Sequence, residues 1–152
     1  MIAPRPTARL AENDEGTSVK RSEADWNELT NEGRRILQRV ARDQALTNYG
    51  AFNKELADET GLPAFNLNAE DGRAGISRLL VLIAERDWED GRDYMLTSLV
   101  KLTGENHPGQ GFFTLAEQED LYDPAKEPQL DFWQRQVRLA HEAHKRVRPA
   151  RG

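Results

Sequence analysis

Apolar residues recur every three or four positions along most of this chain, which is the spacing of amphipathic helices. The first such pattern follows Ser22 and Asp25, a pair that resembles a capping box with Asp in place of the usual Glu or Gln. It predicts a helix from there to about residue 46. Residues 1–21 lack this periodicity and hold two prolines and few large apolar groups, so they are predicted to be a disordered leader.

Two further helices are predicted before residue 90. Residues 51–60 form a short apolar pattern that ends at Gly61, a suitable C-terminal cap, and Pro63 prevents continuation. Residues 70–88 begin with acidic groups that suit a helix N-terminus, and their aliphatic content predicts the most buried helix of the chain. The loop between these helices carries apolar side chains that we expect to enter the core or a groove: Leu62, Phe65 and Leu67.

A different pattern occupies residues 94–102. Aliphatic, aromatic and β-branched residues follow one another there without Pro or Gly, which predicts the only strand of the chain. Residues 103–111 follow with three glycines, one proline and an asparagine, the composition of a turn. One short β unit flanked by helical patterns predicts a mostly α fold, in which a helical bundle covers that unit.

Two more helices are predicted after the turn. Residues 112–122 form a short amphipathic pattern, and an acidic, proline-containing linker separates it from a last helix over residues 129–147. Phe132 and Leu139 form a second seam on that helix, so either one broad face packs on the core or a second copy is contacted as well. The main stripe is predicted to be buried on the chain's own body or on a second subunit: Leu130, Trp133, Val137, Ala140 and His144.

Composition fits one core domain over residues 22–123, followed by the helical segment 129–148. Hydrophobic residues make up 38% of the chain and charged residues 31%, which indicates a modest core and a strongly solvated surface. With no cysteine, disulfides, thiol catalysis and Cys-ligated zinc are excluded. No apolar run approaches the roughly 20 residues of a membrane span, and no signal-peptide pattern opens the chain. We therefore expect no membrane partner and a cytoplasmic location.

The net charge of −5 is unevenly distributed. Residues 129–152 hold six basic and two acidic side chains, a net charge of +4, and the remaining 128 residues hold 15 basic and 24 acidic groups, a net charge of −9. An acidic body with a basic end can attract two different kinds of partner, although an ordinary solvated surface has the same composition.

His141 and His144 lie three positions apart on the last predicted helix and could reach one metal ion. The helical zinc-protease motif requires a spacing of four, with Glu directly after the first histidine, and no third ligand is evident here. We therefore predict neither a metal site nor a cofactor.

The turn around His107 could expose an imidazole and several backbone N–H groups to an anion. It lacks the Lys and Ser/Thr of a P-loop, and a β-turn that only reverses the chain is the other interpretation. Carboxylates cluster over residues 85–93 and 117–127, but acid–base catalysis requires a partly desolvated pocket. No nucleophile elbow or dinucleotide fingerprint occurs, so no catalytic residue is assigned.

Arg73, Ser77 and Arg78 lie in the first half of the predicted helix 70–88. If this helix is the second of a helix-turn-helix pair, the three side chains could face phosphates or bases. The alternative is that they only solvate one side of an amphipathic helix.

The order of helix, short helix, turn, longer helix, strand and Gly-containing turn resembles a winged-helix layout. Residues 48–113 also resemble the DNA-binding domain of the alkyltransferase-like proteins. Tyr49 opens a Tyr…Leu-Ala…Gly-x-Pro stretch that ends at Pro63, and Arg73-Ala-Gly75 corresponds to the Arg-Ala-x-Gly start of the recognition helix. Leu-Thr-Ser-Leu replaces the reactive Pro-Cys-His-Arg segment, so alkyl transfer is excluded. The resemblance implies that Tyr49 and Arg73 contact a nucleotide.

Three hypotheses about function follow. The first is a non-enzymatic, winged-helix-like module that binds nucleic acid, or a protein that handles it, through Tyr49, Arg73, Ser77, Arg78 and His107. The second is a protein-interaction or dimerisation protein that uses the C-terminal helix, with an acidic body that repels nucleic acid. The third is a small enzyme with a site in the turn at residues 107–111. The expected partners are accordingly nucleic acid, another protein or a second copy of this chain.

Overall fold

Five α-helices and one pair of two-residue strands form the part of the chain that the structure, a computed structural model, describes, residues 20–145. The elements, in chain order, are α1 (Glu23–Arg42), β1 (Thr47–Asn48), α2 (Tyr49–Thr60), α3 (Glu70–Glu89), a 3₁₀ turn (Leu96–Leu99), β2 (Val100–Lys101), α4 (Gln110–Gln118) and α5 (Gln129–Ala143). The mostly α fold with one short β unit is confirmed. The predicted leader, apart from Lys20 and Arg21, lies outside the described residues, and the last helix ends at Ala143, earlier than the predicted residue 147.

Helix α1 begins where the sequence predicts. The Ser22 hydroxyl accepts the Asp25 N–H at 3.0 Å, and the Asp25 carboxylate accepts the Ser22 N–H at 3.1 Å, which completes the capping box. The helix ends at Arg42, earlier than predicted, because the chain turns at Gln44, whose φ is +56°. Arg21, assigned to the leader, instead donates to the Pro63 carbonyl at 2.9 Å.

The prediction that residues 70–88 form the most buried helix is wrong. Helix α1 buries seven residues, whereas α3 buries five. The cause is the position of each helix: α1 packs against α2, α3 and the 3₁₀ turn, while one side of α3 has no helix packed closely over it within residues 20–145. Leu80, Val81 and Leu82 on α3 are therefore only half-buried.

The predicted strand over residues 94–102 is mostly wrong. Leu96–Leu99 forms a 3₁₀ turn, and only Val100–Lys101 is a strand. Every residue from 94 to 100 is buried, so the continuous apolar composition reflects enclosure on all sides rather than strand pairing. The partner strand β1, which was not predicted, runs parallel to β2, with Thr47 opposite Val100.

The loop at residues 62–69 is fastened to α2 and α3. The Asn53 side chain accepts the Phe65 N–H at 2.9 Å and donates to the Phe65 carbonyl at 2.8 Å. Phe65 is buried, as expected for an apolar anchor, and its ring lies over Gly75. A Cβ atom at Gly72 would lie 1.9 Å from the Asn66 carbonyl oxygen, so the loop backbone reaches α3 only because that position is glycine.

Helix α5 packs on its own chain. Trp133 is buried and its indole N–H donates to the Ser98 carbonyl at 2.8 Å, while the Gln136 side chain accepts the Met95 N–H at 2.8 Å. Phe132 is fully buried beside Tyr122, with ring centroids 4.8 Å apart. An aromatic cluster built by α4, α5 and their linker therefore forms a second core beside that of α1, α2 and α3.

Helix α4 is shorter and earlier than predicted. It covers Gln110–Gln118, and the chain leaves it at Asp120, whose φ is +60°. Phe112 and Phe113 point into the second core. None of the helices within residues 20–145 is long and apolar enough to cross a membrane.

Candidate functional site

A cleft separates α3 from the N-terminal half of α4. Its inner part is an apolar groove with about 430 Å³ of space, part of it open to solvent, and it is lined by Leu80 and Val81 from α3 and by Phe112 and Leu115 from α4. This groove is the uncovered side of α3. Phe112 and Phe113 pack α4 onto the second core, and this packing fixes the position of α4 opposite α3 across the groove.

The outer part of the cleft is wider and more polar, with about 940 Å³ of open space. Arg73, Thr103 and Glu105 are among its lining residues. Tyr49, Ser77 and Gly111 line both parts, so they mark the junction where the polar mouth leads into the apolar groove. The cleft is therefore polar at its mouth and apolar in its interior.

The short β unit determines the position of Tyr49. It opens α2 directly after β1, where the Asn48 side chain accepts the Ala51 N–H at 2.9 Å and caps the helix. The Thr103 hydroxyl accepts the Gly50 N–H at 3.0 Å, which joins this helix start to the turn after β2. The parallel strand pair thus brings residue 49 beside the segment that leads into α4.

The Tyr49 hydroxyl is held as a protonated donor. Burial raises the pKa of this phenol above its ordinary value. A Cβ atom at Gly109 would lie 3.1 Å from the hydroxyl oxygen, so the glycine makes room for it. Within residues 20–145 the hydroxyl has no hydrogen-bond partner. It can therefore donate to a group that enters the cleft.

Arg73 and Ser77 lie one turn apart on the cleft side of α3. The Arg73 guanidinium donates to the Leu67 carbonyl at 3.2 Å and pairs with no carboxylate in the described part of the chain. Ser77 is exposed beside it. The positive charge and the hydroxyl are thus both available to a ligand at the mouth.

Two of the predicted contact residues lie elsewhere. Arg78 turns away from the cleft, because it is one residue further round the helix than Ser77, and its guanidinium stacks 4.5 Å above the Trp26 ring. His107 is not part of the lining: its Nδ1–H donates to the Pro108 carbonyl at 2.9 Å, and its Nε2 lies 3.6 Å from exposed Glu105. The His107 backbone carbonyl accepts the Leu102 N–H at 3.0 Å, which closes the turn.

The apolar groove itself was missed by reasoning from the sequence. Leu79 to Ile83 are five consecutive aliphatic residues, more than one face of a helix needs, and this excess is the signal that a second side of α3 is apolar. Whether that side forms a groove depends on the position of α4, which is set by tertiary packing and not by the local sequence of α3.

The stripe predicted on the last helix faces its own chain along most of its length. Trp133 and Ala140 are buried, and Val137 packs against both cores. His144 is half-buried, whereas Leu130 is 51% exposed to solvent.

The two histidines of α5 do not converge on one point. The His141 Nε2 lies 2.9 Å from the Ala45 carbonyl oxygen, while the His144 Nε2 lies 2.5 Å from the Tyr94 hydroxyl. No group of three or more His, Asp or Glu side chains within residues 20–145 is arranged to hold a metal ion.

A buried carboxylate does exist, but outside the cleft. Asp87 on α3 is inaccessible to solvent and lies 2.9 Å from Arg34 and 3.6 Å from Arg92. Burial raises the pKa of Asp87, while hydrogen bonding to Arg34 and the charges of both arginines oppose that rise. In the turn proposed for an enzyme site, Glu105 and His107 keep 58% and 45% of their side-chain exposure, so that pair is not desolvated.

Comparison of this chain with protein-family models, with curated protein sequences and with solved structures gives no significant match in any of the three. The cleft therefore has to be interpreted from its own chemistry.

Proposed function

We propose that this protein is a non-enzymatic, winged-helix-like module that binds nucleic acid, and that the cleft between α3 and α4 receives one nucleotide. The observation that carries the proposal is the convergence of Tyr49, Arg73 and Ser77 at the mouth of an apolar groove. Three residues singled out for nucleotide contact from the sequence, two of them by resemblance to a DNA-binding domain, line one continuous cleft.

The chemistry of a nucleotide matches the two parts of the cleft. A phosphate is an anion that a guanidinium binds through charged hydrogen bonds, and Arg73 is the cation at the mouth. A nucleobase is a flat ring with polar edges, which fits an apolar groove that has hydroxyl donors at its entrance. Tyr49 and Ser77 supply those hydroxyls at the junction.

The acidic surface determines what kind of binding to expect. Proteins that bind nucleic acid through charge neutralise many phosphates, and their affinity falls steeply with salt. Within residues 20–145, Arg73 is the one cation that lines the cleft, it pairs with no carboxylate there, and this part of the chain is acidic overall. Binding should therefore depend on insertion of a base into the groove and only weakly on salt.

Fluorescence anisotropy of a labelled single-stranded DNA 12-mer provides the test. With one phosphate neutralised, the affinity should fall by about 2.6-fold between 50 and 200 mM salt, from a logarithmic slope of about −0.7 per phosphate. Arg73→Gln should weaken binding about tenfold or more, as expected for a lost charged hydrogen bond, and should abolish the salt dependence.

The matched control is Arg78→Gln. It removes the same charge five residues further along α3, from a side chain that stacks on Trp26, and should leave the affinity within about twofold of the wild type if only the cleft binds. Equal losses for the two variants would mean that overall charge, not the cleft, holds the DNA. No binding by the wild type to single-stranded or duplex DNA or RNA at 50 mM salt would reject the proposal.

A further inference from the structure

A network of hydrogen bonds and ion pairs connects the end of α5 to the body of the protein. His144, the residue that follows Ala143 at the end of α5, places its Nε2 atom 2.5 Å from the Tyr94 hydroxyl oxygen and 3.2 Å from Nη1 of Arg92. Arg92 lies 3.6 Å from the buried Asp87 carboxylate, which also accepts a hydrogen bond from Arg34 at 2.9 Å. The network therefore joins α1, α3, the segment after α3 and α5.

This geometry demands a neutral imidazole. A guanidinium can only donate hydrogen bonds, so the Nε2 atom facing Arg92 must present its lone pair. The proton of neutral His144 then resides on Nδ1. Protonation of Nε2 removes the acceptor that Arg92 requires and sets a second positive charge against the guanidinium, whereas the Tyr94 hydroxyl can accept from the protonated nitrogen as well as donate to the neutral one.

The charges around His144 oppose its protonation. Burial lowers the pKa of His144, and the positive charges of Arg92 and of Arg42, at the end of α1, lower it further. Asp87 is already engaged by two arginines, and no ion pair joins Asp93 or Glu142 to the imidazole within residues 20–145. The C-terminal end of a helix favours a cation, but this weak attraction acts against two nearby guanidinium charges.

We propose that the contact of His144 with Arg92 is a pH-sensitive latch, which holds the last turn of α5 on the body at neutral pH and releases it in mildly acidic solution. The direction follows from linkage. Since the pKa of His144 is lower in the folded state than the ordinary 6.5, the stabilisation is complete above about 6.5 and is lost as the pH falls through the folded-state pKa.

His141 offers a control one turn away. Its Nε2 lies 2.9 Å from the Ala45 carbonyl oxygen, and a carbonyl can only accept, so this nitrogen carries a proton. Protonating the other ring nitrogen leaves that hydrogen bond intact. The two histidines of α5 thus have opposite requirements, and only His144 should respond to acid by releasing its partner.

Hydrogen exchange of the backbone amides in residues 140–145, corrected for intrinsic rates, tests the latch between pH 7.5 and 5.5. In the wild type, the opening equilibrium constant of this turn should rise about three- to tenfold at the lower pH, the equivalent of one lost hydrogen bond. His144→Gln, which cannot gain a charge, should abolish the rise. His141→Gln and His107→Gln should retain it, and these three variants cover every histidine of the chain.

An NMR titration of the histidine ring protons gives a second measurement that does not depend on a variant folding. His144 should titrate with a midpoint below the ordinary value. Unchanged protection of the wild-type turn at pH 5.5 would overturn the proposal. So would a full acid response in His144→Gln, or loss of the response in His141→Gln alone.

Discussion

Ile83 and Leu80 are neighbours on α3 but lie in different surroundings. Ile83 is fully buried in the first core, where its Cδ1 atom lies beside Gly33 of α1, whereas Leu80 is half-buried along the cleft. The helical periodicity alone assigns both to one core face. Only the structure distinguishes a core residue from a groove residue, because it places one side of Leu80 against the first core and the other side along the groove.

Truncating these two side chains should therefore have unequal effects. Ile83→Ala should lower the free energy of unfolding by about 2–5 kcal/mol, since it leaves a cavity in a closed core. Leu80→Ala should cost clearly less, because the groove already exposes that side chain to water. Urea unfolding followed by circular dichroism measures both. Equal losses would mean that the groove is closed in solution.

At the scale of single elements, two glycines show how the loop and the cleft are built. Gly72 in the first turn of α3 meets the Asn66 carbonyl at close range, while a Cβ atom at Gly111 in the first turn of α4 would enter open space. Both positions are helical, so alanine is intrinsically preferred to glycine at each by about 1 kcal/mol. The packing around each glycine decides whether that preference is realised.

Gly72→Ala should destabilise the protein despite the better helix former, because a backbone carbonyl cannot move aside without displacing the loop at residues 62–69. Gly111→Ala should leave the melting temperature unchanged or raise it. Thermal unfolding of the two variants compares them directly. A stable Gly72→Ala protein would contradict the close contact between this loop and α3.

The C-terminal helix completes the second core. Trp133→Ala removes a buried indole and its hydrogen bond to the Ser98 carbonyl, and should cost about 3–5 kcal/mol. Leu130→Ala, on the same helix but half-exposed, should change the free energy of unfolding by only about 0.5 kcal/mol. Denaturant unfolding with mass measurement in solution gives both stability and oligomeric state. If Trp133→Ala unfolds no more easily than the wild type, α5 is not anchored as the structure indicates.

At the scale of the whole molecule, the sequence predicts the helices well and the β unit poorly. Caps and apolar periodicity locate the starts of α1 and α5 because those signals are local: Ser22 with Asp25 is a complete capping box. The segment at residues 94–101 has strand composition but turns, because it is enclosed by α1, α3 and α5. Two-residue strands carry almost no local signal, so β1 could not be found.

The candidate site is predictable only in part for the same reason. Tyr49, Arg73 and Ser77 were identified from helix starts and from a resemblance, and they line one cleft. The groove below them depends on α4, whose placement follows from contacts of Phe112 with Phe132 and of Phe113 with Tyr122, outside the helix itself. Arg78 lies outside the cleft, which the sequence could not show because spacing alone does not tell which side of α3 the Trp26 ring covers.

The proposed binding of nucleic acid in the cleft is tested most directly by amide chemical shifts measured while a short single-stranded oligonucleotide is added. We predict that the largest shifts cluster at Tyr49, at residues 73–81 and at residues 109–115, and that Arg73→Gln reduces them while Arg78→Gln does not. Shifts confined to α5 or to the face around Trp26, or no shifts at concentrations that saturate other single-strand binders, would contradict the proposed role of the cleft.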